Sequence, residues 1–152
     1  MAKRKVASDI KSTYVETPLR WREKDPDVKK LLGATKPTGT LLIVLFIPNR
    51  DRFENEIDHE RWVSESLEVL GFAFGGATAY PQSRGVWRDD ERSILVYEEP
   101  TIVNCYVDPN IVNDRNVAEL REFLHRMGRE TEQGEIGFVF DEKFYRITDF
   151  DK

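Results

Sequence analysis

The sequence predicts an α+β domain of the ferredoxin-like kind, βαββαβ, with a mainly antiparallel sheet, two helices on one face and a basic N-terminal arm. Strand-length apolar runs and two segments of helical spacing follow one another as strand, helix, crossover and hairpin, strand, helix, strand. No repeat of solenoid length interrupts that order. Charge then separates an arm from a body. Residues 1–36 hold ten Lys/Arg against five Asp/Glu, a net +5, and the remainder hold thirteen against twenty-three, a net −10. The alternative architecture is an α+β sheet carrying extra hairpins.

These divisions predict an arm over residues 1–38, partly disordered or docking, a domain over 39–148 and a frayed tail over 149–152. The arm has Lys/Arg clusters and Pro18, Pro26 and Pro37, but Leu19, Trp21, Leu31 and Leu32 are too apolar for a pure linker. One helical turn is expected over 27–32, capped by Asp25 with Pro26 at its first position. The run TLLIVLFI over 40–47 is the clearest strand. It is apolar on both faces, which predicts a central position, covered on both sides or closed into a dimer. Asp58 is a good N-cap for a helix over 59–70, with Gly71 as its stop.

The stretch GFAFGGATAYPQSRGVW, residues 71–87, is the crossover around which the chain is organised. Gly75-Gly76 permits a turn or a close backbone approach, and its free N–H groups can face a ligand. Val86-Trp87-Arg88 and residues 93–97 flank a charged tip and form a hairpin. Residues 94–107 read as one long strand bent at Pro100. Asn113 or Asp114 caps a second helix, on which Val117, Leu120, Phe123, Leu124 and Met127 recur at helical spacing. Residues 136–140 and 144–147 are short strands joined by a turn.

Trp62, Phe74-Gly75-Gly76-Ala77-Thr78, Gly85-Val86-Trp87, Glu98 or Glu99, and Gln133-Gly134-Glu135-Ile136 resemble the pattern of a family of small bacterial α+β proteins of unknown function. The resemblance spans about residues 40–147. It implies the fold and no activity.

Several chemistries lack their residues. The longest apolar run, 41–47, is far short of the roughly 20 residues of a membrane helix. The N-terminus, MAKRKVASDIK, has no apolar core of a secretory signal. The single cysteine, Cys105, cannot form an internal disulfide and is expected buried, protonated and inert. The cytoplasm is therefore the expected compartment. The two histidines, His59 and His125, have no ligand partner at zinc spacing, so no metal or resident cofactor is expected. Mg²⁺ enters only with an enzyme built on carboxylates.

What remains is a set of polar residues at the ends of apolar elements. Glu99, Arg126, Glu130 and Glu135 are the candidate catalytic groups, and Asn49, Arg50, Gly75, Gly76 and Gln133 the candidate ligand-binding ones. Glu98 and Glu99 alternate along a strand, so one of them faces inward, and Arg126 is the expected cation for it. Two functions follow. The first is a small binding or interaction module, dimeric or part of a larger assembly, whose basic residues 1–36 contact an acidic partner or nucleic acid. The second is a small hydrolase or nucleotide-handling enzyme with the carboxylate and arginine site.

Overall fold

The computed structural model describes residues 27–152. It divides into two units, Met1–Lys36 and Pro37–Lys152. The first holds one described element, α1 (Val28–Leu32). Asp27, not Asp25, caps it: the Asp27 carboxylate accepts from the Lys30 N–H at 3.2 Å, and Gly33 closes the turn at φ 65°. Asp25 and the rest of residues 1–26, including Leu19 and Trp21, lie outside the described residues.

The second unit runs β1 (Leu41–Ile47), α2 (His59–Phe74), β2 (Thr78–Tyr80), β3 (Gly85–Asp89), β4 (Ile94–Glu98), β5 (Thr101–Val107), α3 (Asp114–Glu130), β6 (Ile136–Phe140) and β7 (Lys143–Ile147). Five strands form one sheet in the order β2-β5-β1-β6-β7, with every neighbouring pair antiparallel. β3 and β4 pair only with each other, as a separate two-stranded ribbon. The domain is α+β with a mainly antiparallel sheet, and it has more strands than βαββαβ contains. The expected long strand over 94–107 is two strands in different sheets. Pro100 offers no N–H to a ladder, and the chain leaves one sheet for the other at Glu99-Pro100.

β1 is central, hydrogen-bonded to β5 from Leu41↔Val107 to Ile47↔Thr101 and to β6 at Ile43↔Phe140 and Leu45↔Phe138. Alternation sends Ile43, Leu45 and Ile47 to one face with Val103, Cys105 and Val107, all fully buried. Trp62, Leu70 and Phe74 of α2 and Leu120, Phe123, Leu124 and Met127 of α3 complete that core, so both helices cover the same face. Trp62 and Phe123 join them, ring centroids 6.1 Å apart. The opposite face, with Leu42, Val44 and Phe46, is only half-buried.

α2 continues past Gly71 because Ala73 and Phe74 still reach the core, and Gly75, at φ 101°, is the residue that ends it. Gly128 likewise stays inside α3 and does not end it. A Cβ there would stand inside the ring of Phe150. The C-terminal residues are therefore docked and not frayed. Asp151 takes a bidentate grip from Arg121 at 2.9 and 2.7 Å, and its N–H donates to Nδ1 of buried His125 at 2.8 Å. No described helix is long and apolar enough to cross a membrane.

Gly128→Ala is expected to cost about 1–3 kcal/mol by expelling Phe150. In a Phe150→Ala background the same change should be neutral or stabilising, because alanine exceeds glycine in helix propensity by about 1 kcal/mol. Urea denaturation of the four chains checks this, and a cost that Phe150→Ala leaves unchanged contradicts the packing.

Candidate functional site

The expected catalytic pair Arg126 and Glu130 does come together, within a closed circuit of charges. Asp58 caps α2 by accepting from the Arg61 N–H. Arg61 then donates to Glu65 at 2.8 Å and to Glu130 at 3.3 Å, while Arg126 donates to Glu65 at 2.6 Å and lies 3.9 Å from Glu130. Both guanidinium groups lie over the Trp62 ring, at 4.8 and 5.1 Å from its centroid. Burial alone would raise the Glu65 carboxyl, but hydrogen bonds from Arg126 and Arg61 outweigh it and hold the group below the usual carboxylate range. These four side chains neutralise one another and seal the α2–α3 seam. Glu65 was missed in the sequence because its partner Arg126 is on the other helix, at no legible spacing.

The loop after β1 is fastened to its neighbours by the expected ligand-binding residues. Asn49 Oδ1 accepts from the Glu99 N–H at 3.3 Å, and Gln133 Nε2 donates to the Arg50 carbonyl at 2.7 Å. His59 bridges the Pro48 carbonyl at 2.8 Å and the Thr101 hydroxyl at 2.7 Å. A carbonyl can only accept, so Nδ1 donates and Nε2 accepts from Thr101. Asn49, Gln133 and His59 thus tie the end of β1 to the starts of β5 and β6.

Glu99 is exposed, and Glu98 is the inward carboxylate. It ends β4 opposite Gly85, where a Cβ would stand 3.2 Å from its Cγ and Oε1. Burial pushes the Glu98 carboxyl up, and the charge of Glu135 pushes it further. Its expected cation, Arg126, serves Glu65 instead, and no described ion pair includes Glu98. Glu135 has Arg146 at 3.8 Å. Arg146 lies 5.7 Å from the Phe144 ring, which meets Phe46 edge-on at 6.2 Å. Glu135 is therefore linked through Arg146 to an aromatic strip on the sheet face opposite the helices.

Gly75 and Gly76 lead into β2 and lie toward the start of β1, away from the Glu98 end, since Gly76 faces Cys105, the partner of Ile43. Their N–H groups are engaged internally: Gly75 donates to the Gly71 carbonyl at 3.0 Å, and Gly76 faces the Cys105 sulfur. Burial pushes the Cys105 thiol up to about 11, against that N–H. The glycines form a wall of a cleft of about 510 Å³, together with Thr78, Asn104, Tyr106 and Asp108. The sequence signal for this cleft was the lone amide of Asn104 in an otherwise apolar strand centre. Among the described residues, no group of three His, Cys, Asp or Glu side chains converges to hold a metal ion.

The geometry defines a compact α+β domain with polar groups at both ends of a half-covered sheet. No protein-family model matches the chain, and no curated protein sequence does. Among solved structures it is similar to a phage SAM lyase in complex with S-methyl-5′-thioadenosine, with a TM-score of 0.54 and 13% identity over 76% of this chain and 94% of that one. The apo state of a phage SAM lyase matches at a TM-score of 0.50 and 14% identity over the same shares. At these identities the likeness is one of fold.

Glu98→Gln and Glu65→Gln should shift stability in opposite directions. Glu98 has a raised folded pKa, so its penalty is absent below the ordinary value of 4.5 and develops as the pH rises through the raised one. Its replacement should raise Tm by roughly 1–3 °C at pH 7 and leave it unchanged at pH 3. Glu65 has a lowered pKa, so its contribution is present above 4.5 and lost as the pH falls. Its replacement should lower Tm at pH 7, with the loss fading in acid. Thermal melts across pH check both, and equal signs at pH 7 would refute the assignment.

Proposed function

We propose that the protein is a small enzyme handling a nucleoside-bearing organic cation, with S-adenosylmethionine as the first candidate and Glu98 as its reacting carboxylate. One observation carries this reading: Glu98 is half-buried beside a second carboxylate, Glu135, with no paired guanidinium or ammonium of its own among the described residues. An arriving cation relieves that repulsion. A sulfonium has no proton to donate and is held by charge and by apolar or aromatic contact, which the Phe46–Phe144 strip can supply. The fold likeness to a SAM lyase supports the choice of cation. The finer fold belongs to the same proposal: without the β3–β4 ribbon and β7, the remaining order β2-β5-β1-β6 is that of a ferredoxin-like βαββαβ core.

In a lyase step on a sulfonium, a base takes a proton from the carbon adjoining the C–S bond. The C–H pair becomes a C=C bond, and the C–S pair stays on sulfur as a neutral thioether. Glu98, raised toward working pH, is suited to that base. The protein incubated with S-adenosylmethionine is expected to form S-methyl-5′-thioadenosine, followed by chromatography and mass spectrometry. Glu98→Gln should reduce the rate by about 10²-fold or more, while exposed Glu99→Gln changes it by only a few-fold. An inactive wild-type chain that also fails to bind the compound calorimetrically refutes the reading.

A second reading rests on the uncovered sheet face. Leu42, Val44 and Phe46 stay half-buried, and Tyr106 and Phe144 are 65% and 54% exposed. A cytoplasmic module that self-associates through this face, with its basic residues 1–36 contacting an acidic partner or nucleic acid, would cover it. Light scattering should then give at least a dimer for the wild type and a monomer for Val44→Glu, while a monomeric wild type refutes it.

A further inference from the structure

The β3–β4 ribbon has two unlike faces. Strand alternation puts Gly85, Trp87 and Asp89 on one face with Glu98, Val96 and Ile94, their cross-strand partners. Gly85, Asp89, Val96 and Glu98 are half-buried, so this face turns toward the domain. Val86, Arg88, Leu95 and Tyr97 form the other face and are all exposed.

On the inward face the position opposite Glu98 is a glycine. A Cβ at Gly85 would stand 3.2 Å from the Glu98 Cγ and Oε1, so the carboxyl group occupies the room that the missing side chain leaves. One step further along β3 is Trp87, opposite Val96 and diagonal to Glu98. Diagonal neighbours of this kind are about 7–8 Å apart, within reach of an aromatic side chain. Trp87 keeps 44% of its surface exposed, so its ring is open to a ligand. Asp89, the other acid on this face, is paired with Arg92 at 2.7 Å. The base of the ribbon is fixed. The Ser83 hydroxyl donates to the Pro100 carbonyl, and the Glu99 N–H donates to Asn49 Oδ1 at 3.3 Å. The carboxylate and the indole are therefore carried side by side on one anchored element.

We propose that Trp87 is the specificity-determining wall of the Glu98 site, selecting a fully alkylated onium head, sulfonium or quaternary ammonium, over a hydrated inorganic cation. This inference rests on the reading of Glu98 given above. A carboxylate attracts any cation and does not by itself select one. The face of an indole attracts a weakly hydrated alkylated cation through its quadrupole and its apolar surface. A small inorganic ion would have to give up water to gain the same contact. The pair also separates substrate from product, because a neutral thioether loses the attraction of both ring and carboxylate. The Phe46–Phe144 strip is linked to Glu135 through Arg146, whereas Trp87 shares a ribbon face with Glu98 itself.

Nuclear magnetic resonance titration of the full chain with trimethylsulfonium and with tetramethylammonium tests this, at an ionic strength held constant with potassium chloride. An onium ion is expected to move the Trp87 indole N–H signal saturably, where added potassium does not. Response to one onium ion alone identifies the head that the site takes. Trp87→Leu should weaken that binding about 3- to 30-fold, followed at the Gly85 and Val96 amides, and Trp87→Phe should weaken it less. Tyr97→Leu, on the outer face of the same ribbon, should leave it unchanged. No response to either onium ion, an equal response to potassium, or equal weakening by Trp87→Leu and Tyr97→Leu overturns the proposal. So does a Trp87→Leu chain that binds like the wild type. S-adenosylmethionine separates the two readings. If the simple onium ions bind through Trp87 and S-adenosylmethionine is not converted, the activity fails and the wall stands. If conversion proceeds with the same KM in Trp87→Leu, the wall fails and the activity stands.

Discussion

Burial of Ile43, Leu45 and Ile47 beneath α2 and α3 is the interaction on which the domain depends. β1 is hydrogen-bonded on both edges, so the sheet cannot form without it, and its inner face is fully excluded from water. At about 1.5–3 kcal/mol for each fully buried aliphatic side chain, these three residues outweigh any surface ion pair in the molecule. Both helices are committed to that face, and the other face of the same strand is left with Leu42, Val44 and Phe46 and no layer among the described residues. Groups free for recognition are therefore confined to the open face and to the two ends of the sheet.

Within that frame, Glu65 and Glu98 are treated in opposite ways. Both lose part of their hydration. Glu65 gains two guanidinium groups, which are themselves spread over Trp62, and stays ionised. Glu98 gains a second carboxylate and, among the described residues, no cation. The first arrangement stabilises the helix seam. The second costs stability, because burial and a like charge both oppose ionisation of Glu98.

The sequence made the element order legible because periodicity is a local signal. The first strand, both long helices, the charged hairpin and the last two strands were all readable from alternation and caps. Boundaries that depend on distant contacts were not. Gly71 looks like a helix stop until Ala73 and Phe74 are seen to reach the core, and Gly128 looks like a break until Phe150 fills the notch it leaves. Pro100 was read as a bend within one strand, whereas it separates two sheets, a distinction no local pattern encodes. The same limit applies to the site. Arg126 and Glu130 share a helix, so their pairing was legible. Which of Glu98 and Glu99 turns inward depends on the pairing of β4 with β3, and that Glu65 would claim Arg126 depends on a contact 61 residues apart. Asn104 was not singled out in the sequence, and only the sheet places it beside Thr78.

Charge accounts for the kind of ligand each end can take. The body carries −10 outside residues 1–36, and three of its arginines are already paired: Arg61 and Arg126 with Glu65 and Glu130, and Arg146 with Glu135. A phosphate approaching this unit meets a net negative field, which opposes the electrostatic steering that serves nucleotide enzymes. A cation approaching the same unit meets the paired carboxylates Glu98 and Glu135. The preference against anions therefore follows from the composition of the body.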